Sequence, residues 1–389
     1  MTAPADDNQS DDDRHSTAWF QLFYDLVLVA VIVTAGKIIV GRPTWSTAFL
    51  LTAGLLFVFS AWLCTSLSYG LYSRNSALRR LIVVVQMTAL IIAALSATDG
   101  GLSTSVGFAA AAIVCVSLAA LFLLQRHWGS AGLPSGLVVT ACAIAAAVSL
   151  GSAVAAAVAT SWPTYVSPLL LLASFLILAI AVAGPYLRRA MSTGRLDRAH
   201  LEERTGLLVI IVLGEGFLSL ILQLLGKSTI PNLAAFVLGI AVPYSIWALY
   251  FTGVIRRKPP ESVWRLRLWL ILHAVLVLSI AGTAAALSNL TLLPLDNAAF
   301  REFPWSPLSP LLVVLSLMAI TALQRDRDVL VVRAQGLVAF TQLVLVVLSY
   351  TVLDSSREVL TLVSAALIVL DALAVAILAG SRTARATTR

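Results

Sequence analysis

The sequence predicts an all-α, polytopic membrane protein of about twelve transmembrane helices, and three observations predict it. Apolar runs recur from end to end, each long enough to cross a hydrocarbon core as a helix of about 20 residues. Only 12% of the 389 residues are charged, about half the share in a soluble domain. The Lys and Arg residues gather in short loops between the runs, on alternate sides, as the positive-inside bias requires.

In chain order the runs fall near 18–40, 46–70, 78–97, 104–124, 135–159, 164–187, 205–226, 232–254, 265–288, 307–323, 332–353 and 359–380. The tenth is short and opens with Pro307 and Pro310, which a first helical turn tolerates. Ahead of the first run, residues 1–17 are acidic and polar, the composition of a disordered cytoplasmic tail. A cleaved signal would begin with a basic region, so the first span is expected to act as its own insertion signal. The organisation expected is a first six-helix membrane half over 18–187 and a basic cytoplasmic linker over 188–204. A second six-helix half over 205–380 and a basic cytoplasmic tail over 381–389 complete it.

Counted by side, 21 of the 26 Lys and Arg residues fall together and 5 fall opposite. That asymmetry predicts twelve spans with both termini in the cytoplasm, and a multi-pass protein of the bacterial inner membrane. The formal charge of +7 does not point to nucleic acid, because no basic patch interleaves with aromatics. The bilayer and a small-molecule or ion substrate are the partners expected; no oligomeric state follows. Cys64, Cys115 and Cys142 all lie in apolar runs without metal-ligand or disulfide spacing. No metal site is therefore expected, and no cofactor is named by any motif.

The chain also repeats landmarks. "SAW" at 60–62 precedes the basic loop after span two, and "SIW" at 245–247 precedes the one after span eight. Gln86 follows Arg80 by six residues in span three, and His273 follows Arg267 by six in span nine. Six helices per half return the chain to its starting side, so the halves are expected to be parallel repeats about an axis along the membrane normal.

Asp25 lies inside "WFQLFYDLVLVAVIV" at 19–33, where a carboxylate costs roughly 2.5–3.5 kcal/mol on insertion scales. At about 1.5 Å per residue, Asp25, Gln86, Glu215 and His273 fall at a similar depth in the cytoplasmic half, with Trp62 and Trp247. Such groups seldom face lipid, so they are expected to line a cytoplasm-facing cavity, with Asp25 and Glu215 sharing it. Arg204, Glu215, Ser219 and Gln223 form one stripe of a helix. Gln21 and Asp25 share a face one turn apart. For the other candidates the bland readings are strong: an interhelical hydrogen bond for Gln86, a satisfied core imidazole for His273, and core packing for both tryptophans. Asp371, near the middle of span twelve, is open between a functional carboxylate and a partner for a helix-terminal amide.

"STAWFQLFYDLVLVAVI" and "HLEERTGLLVIIVLGEGFLSLI" (200–221) resemble the bacterial low temperature requirement protein A (LtrA) family. The first stretch matches its pattern at Trp19, Leu22, Phe23, Asp25, Leu26 and Val27. The second matches at His200, Glu203, Arg204, Gly206, Leu207, Ile210, Ile211, Leu213, Gly214 and Glu215. The chain departs at Gln21, where the family usually has Glu, at Tyr24 for Phe, and in a span two poorer in tryptophan. The resemblance implies a multi-span bacterial membrane protein, named for a growth phenotype in the cold, and no settled activity.

Three functions compete. A transporter or permease would use Asp25 and Glu215 to couple protons or bind a cation, with Arg204 and His273 shaping the cytoplasmic mouth; no broken-helix Gly/Pro pair occupies matching positions of the halves. A membrane-embedded enzyme acting on a lipid, isoprenoid or other hydrophobic small molecule would use the same Asp, Glu and His as acid and base, although no metal motif accompanies them. A scaffold or sensor of bilayer state is the third. No phosphate-binding loop, dinucleotide fingerprint or serine-triad motif occurs in the chain.

Overall fold

A backbone in hydrocarbon has no water to bond, so its N–H and C=O groups must bond each other within the segment, and a helix does this. The computed structural model describes residues 11–41, 44–71, 76–98, 102–127, 133–158, 165–225, 232–254, 259–292, 306–324, 329–351 and 357–387. Among them it is all helix and turn, with no strand.

The helices are α1 (Asp11–Gly41), α2 (Trp45–Leu71), α3 (Ala77–Leu95), α4 (Thr104–His127), α5 (Ser135–Val158) and α6 (Val166–Ser192). They continue with α7 (Arg198–Leu224), α8 (Leu233–Val254), α9 (Val263–Leu292), α10 (Leu308–Leu323), α11 (Val329–Thr351) and α12 (Arg357–Thr387). Ten are long and apolar enough to cross a membrane; Trp19–Ile32 of α1 and Leu308–Leu323 of α10 are shorter apolar stretches. An all-α polytopic membrane protein is therefore what the chain forms. Arg42, Arg74, Lys227, Arg256, Arg257, Lys258, Arg301, Arg325, Arg327 and Arg389, which enter the charge count, lie outside the described residues, as do residues 1–10.

Helix ends follow caps rather than the ends of apolar runs. α1 begins at Asp11, within the expected acidic tail. Much of the expected 188–204 linker is also helical, because polar residues continue a helix beyond the hydrocarbon at no cost. Only Thr193 to Asp197 separate α6 from α7. Gly194 supplies the turn with φ +66°, and the Arg195 N–H reaches back to the Ala190 carbonyl at 3.1 Å, a glycine-capped helix end. Asp197 then caps α7 by accepting from the His200 N–H at 3.0 Å. Ser76 caps α3 and Asn232 caps α8 in the same way, at 3.2 and 3.3 Å.

Two helices depart from the regular ladder. In α6 a π-helical turn at Val182–Tyr186 contains Gly184 with ψ −109° and Pro185. In α8 a second π-turn covers Tyr250–Val254. Turns of this kind recur at functional sites. They sit in the sixth and eighth helices.

The chain divides into two compact units, Met1–Thr34 with Leu56–Leu201, and Ala35–Leu55 with Glu202–Arg389. In the first, α3, α4, α5 and α6 pack in sequence order. The α5 seam buries Ala141, Cys142, Ala145, Ala146, Ser149 and Ala153, small residues that let helices approach closely. Phe122 and Tyr186 meet edge-on there with centroids 5.3 Å apart, and the Tyr186 hydroxyl donates to Gln125 Oε1 at 3.0 Å. In the second, α8, α10 and α11 all pack on α12, and α9 packs on α8 and α10. Leu, Ile, Val and Phe crowd the exposed faces, as lipid contact requires.

Candidate functional site

Each unit holds a polar cluster inside an apolar bundle. In the first, Asp25 is fully buried on α1. Trp62, fully buried on α2, donates its indole N–H to Asp25 Oδ1 at 2.9 Å. Trp62 also leans on Phe59, with centroids 5.4 Å apart. A bulky ring with a single donor is well suited to hold a carboxylate oxygen in place, because Trp can only donate and its packed ring cannot swing away.

One turn along α2, the Thr65 hydroxyl lies 3.1 Å from Gln86 Oε1 on α3 and 2.9 Å from its own-helix carbonyl at Ala61. Gln86 is fully buried, and its Nε2 has no hydrogen-bond partner among the described residues. Farther toward the loop, Arg79 is buried with its guanidinium 3.7 Å from the Tyr69 ring centroid and Nη2 3.2 Å from Ser68 Oγ. In the sequence this arginine reads only as a loop charge. Its position three residues into α3, on the face of Gln86, is the signal that distinguishes it.

In the second unit Glu215 is buried on α7, and Ser219, one turn on, donates its hydroxyl to Oε1. Ser288 of α9 donates to the Ser219 carbonyl at 3.1 Å. Beside Glu215 runs an apolar crevice lined by Leu213, Gly216, Pro243, Ile280, Thr283 and Ser288. A Cβ on Gly216 would come within 3.3 Å of the Ala284 Cβ and 3.6 Å of Pro243, so the helices approach closely there. Arg204 is buried on the same helix, eleven residues and about 16 Å along the axis from Glu215.

His273 is buried on α9 between two partners. Nδ1 lies 2.7 Å from the Trp269 carbonyl and Nε2 lies 3.0 Å from the Tyr250 hydroxyl. A carbonyl can only accept, so Nδ1 carries the proton; in the neutral ring Nε2 then accepts from Tyr250. The Trp269 ring lies against the imidazole, with centroids 3.9 Å apart. Tyr250 is absent from the sequence-level candidates, although it lies three residues after Trp247, as Thr65 does after Trp62. Trp247 itself is 43% exposed, stacked between Tyr244 and Phe251 at 5.9 and 5.8 Å.

The structure thus joins Asp25 to Trp62 and Gln86 to Thr65 in one unit, and His273 to Tyr250 in the other. Asp25 and Glu215 belong to different units.

The model of the bacterial low temperature requirement A protein (LtrA) family matches residues 16–380, nearly the whole chain. The chain belongs to the LtrA family. Both clusters lie inside the matched region, as do the two stretches that carry the resemblance. No curated protein matches the chain.

Proposed function

We propose that this LtrA-family protein is a transporter or permease of a small molecule or ion, with Asp25 as the ion-responsive group. The observation that carries the reading is a fully buried carboxylate held at one oxygen by a fully buried tryptophan. An aspartate kept inside a membrane helix and oriented there is expected to bind a proton, cation or cationic substrate, since its burial brings cost without packing benefit. In this reading Glu215, with Ser219, plays that part in the second unit. Arg204 and His273 line the route to the cytoplasm.

The six-helix halves, 18–187 and 205–380, are read as parallel repeats. The support is that the residue three after each landmark tryptophan contacts the residue six after each landmark arginine: Thr65 with Gln86, and Tyr250 with His273. Both termini are placed in the cytoplasm of a bacterial inner membrane, from the sidedness of Lys and Arg. A cysteine replacing Arg195 should then resist an impermeant thiol reagent added outside, and one replacing Lys227, outside the described residues, should react.

The test of function is proton-coupled uptake in proteoliposomes, with a pH-sensitive dye inside and a panel of metabolites and cations outside. Asp25→Asn nearly keeps shape and removes charge. It should reduce coupled flux to the protein-free background while leaving a monodisperse, helical protein. Full flux in Asp25→Asn would overturn the assignment.

A further inference from the structure

The second unit contains a helix built inside out. Along α11, Gln335, Ala339, Gln342 and Val346 are buried, while Leu337, Phe340, Leu343 and Val347 are exposed. The apolar side meets lipid and the glutamines face the bundle. On α12 the buried face runs through Ser364, Ile368, Asp371 and Val375, with Ser364 and Asp371 fully buried.

One hydrogen bond sets the register of this antiparallel pair. Gln342 Nε2 donates to the Ser364 backbone carbonyl at 2.8 Å. A carbonyl only accepts, so the amide orientation is settled and Gln342 Oε1 points away from that bond. Seven residues back along α11 is Gln335, and seven forward along α12 is Asp371. Two turns keep each residue on its face, and opposite chain directions bring the two steps to one level. The seam therefore has two polar layers, Gln342 with Ser364 and Gln335 with Asp371, about 10 Å apart.

The atoms left over are mostly acceptors. Both Asp371 carboxyl oxygens, Gln335 Oε1 and Gln342 Oε1 are buried without a hydrogen-bond partner among the described residues. Ser364 Oγ is buried without a partner among the described residues as well, and its one hydroxyl proton can answer at most one of these four acceptors. Leaving several acceptors bare in a low-dielectric seam is costly, and the missing element is something that donates or carries positive charge. Among the described residues no cluster of three His, Cys, Asp or Glu forms, and a single carboxylate with amide oxygens matches a monovalent charge.

We infer that Asp371 and Gln335 form a site for a monovalent cation, a proton or sodium ion, in a seam whose register Gln342 holds. Other charged or titratable groups on helices packed against α12 are otherwise engaged or remote. His273 is held by Tyr250 and Trp269. Arg333 and Arg265 are exposed, Arg267 half-buried. Glu358, buried on α12 itself, is thirteen residues from Asp371, about 20 Å along the axis. Tyr244 and Tyr350 are exposed, and α10 carries no titratable side chain.

The test is an infrared titration of the reconstituted full chain between about pH 4 and pH 10, with sodium chloride against choline chloride. A carboxylic-acid band should titrate in the wild type and in Asp25→Asn and be missing in Asp371→Asn. Titration unaffected by sodium identifies a proton site, and loss of the band on adding sodium at constant pH identifies a sodium site. Gln335→Leu keeps the carboxyl and removes one ligand oxygen, so it should shift the midpoint, or weaken sodium, roughly tenfold. It also serves if Asp371→Asn does not fold. An Asp371 band that ignores both pH and sodium would overturn the proposal, as would an unmoved midpoint in Gln335→Leu. Neither outcome touches the flux test of Asp25.

Discussion

The two units place a tryptophan at the same point of a similar helix and use it in opposite ways. Trp62 is fully buried and bonded to Asp25, whereas Trp247 is 43% exposed and stacked among aromatics on an outer face. The landmark offsets of 185 and 187 residues carry Asp25 onto Ile210, Ile211 or Val212, so the second unit has no carboxylate where the first has one. Glu215 comes about a turn later and is held by Ser219 on its own helix. An indole inside a bundle needs an acceptor for its N–H. Trp62 has one on α1, and Trp247 turns outward. The lesson is that a landmark shared by two halves marks a place in the helix, not a role.

The largest expected difference lies there. Trp62→Phe removes the indole hydrogen bond to the fully buried Asp25, a loss of about 1–3 kcal/mol, read as lowered thermal stability in detergent and lowered flux. Trp247→Phe should stay within about 0.5 kcal/mol. Similar losses for both would break the comparison.

A smaller contrast separates the two polar pairs. His273→Leu removes two side-chain hydrogen bonds, to the Tyr250 hydroxyl and to the Trp269 carbonyl, while Tyr250 keeps Thr205 as a partner, a cost of about 1 kcal/mol. Gln86→Leu leaves Thr65 still bonded to the Ala61 carbonyl, so about 0.6 kcal/mol, the usual worth of an interhelical bond in a membrane, is expected. Urea or guanidinium titration in mixed micelles should rank them in that order. The reverse order would mean that Gln86, not His273, organises its unit.

The smallest contrast is steric. A Cβ on Gly70 would meet His200 Cδ2 at 2.8 Å, and one on Gly239 would meet Leu220 at 3.1 Å. Gly70→Ala should cost about 1 kcal/mol, since the imidazole must move. Gly239→Ala should cost less, because a leucine methyl yields a few tenths of an ångström. Melting temperatures of the two variants, measured side by side, check the ranking.

How much was legible beforehand varies by residue, for physical reasons. Asp25 and Glu215 stand out because a carboxylate in hydrocarbon is expensive wherever it points. Gln86 and His273 were found through their matching distance from an arginine. Thr65 carries little signal because Ser and Thr hydroxyls are common in membrane helices and bond the preceding turn, as Thr65 does at Ala61; Tyr250 carries little because its partner lies on another helix. Glu358 is not among the candidates of the sequence, although its carboxyl is fully buried. Gln335 and Gln342 look like ordinary polar residues until the burial of α11 shows that its polar face points inward.

By itself the sequence determined the helical membrane fold, the order of its helices and the family. Those follow from local quantities: hydrophobic length, caps and the cost of bare backbone in lipid. Only the tertiary structure decided which of two tryptophans holds a carboxylate, and that Asp371 is fully buried with both carboxyl oxygens unpartnered among the described residues. Both depend on the rotation and register of each helix, which are set by side chains far away in sequence, and a hydrophobic run specifies neither.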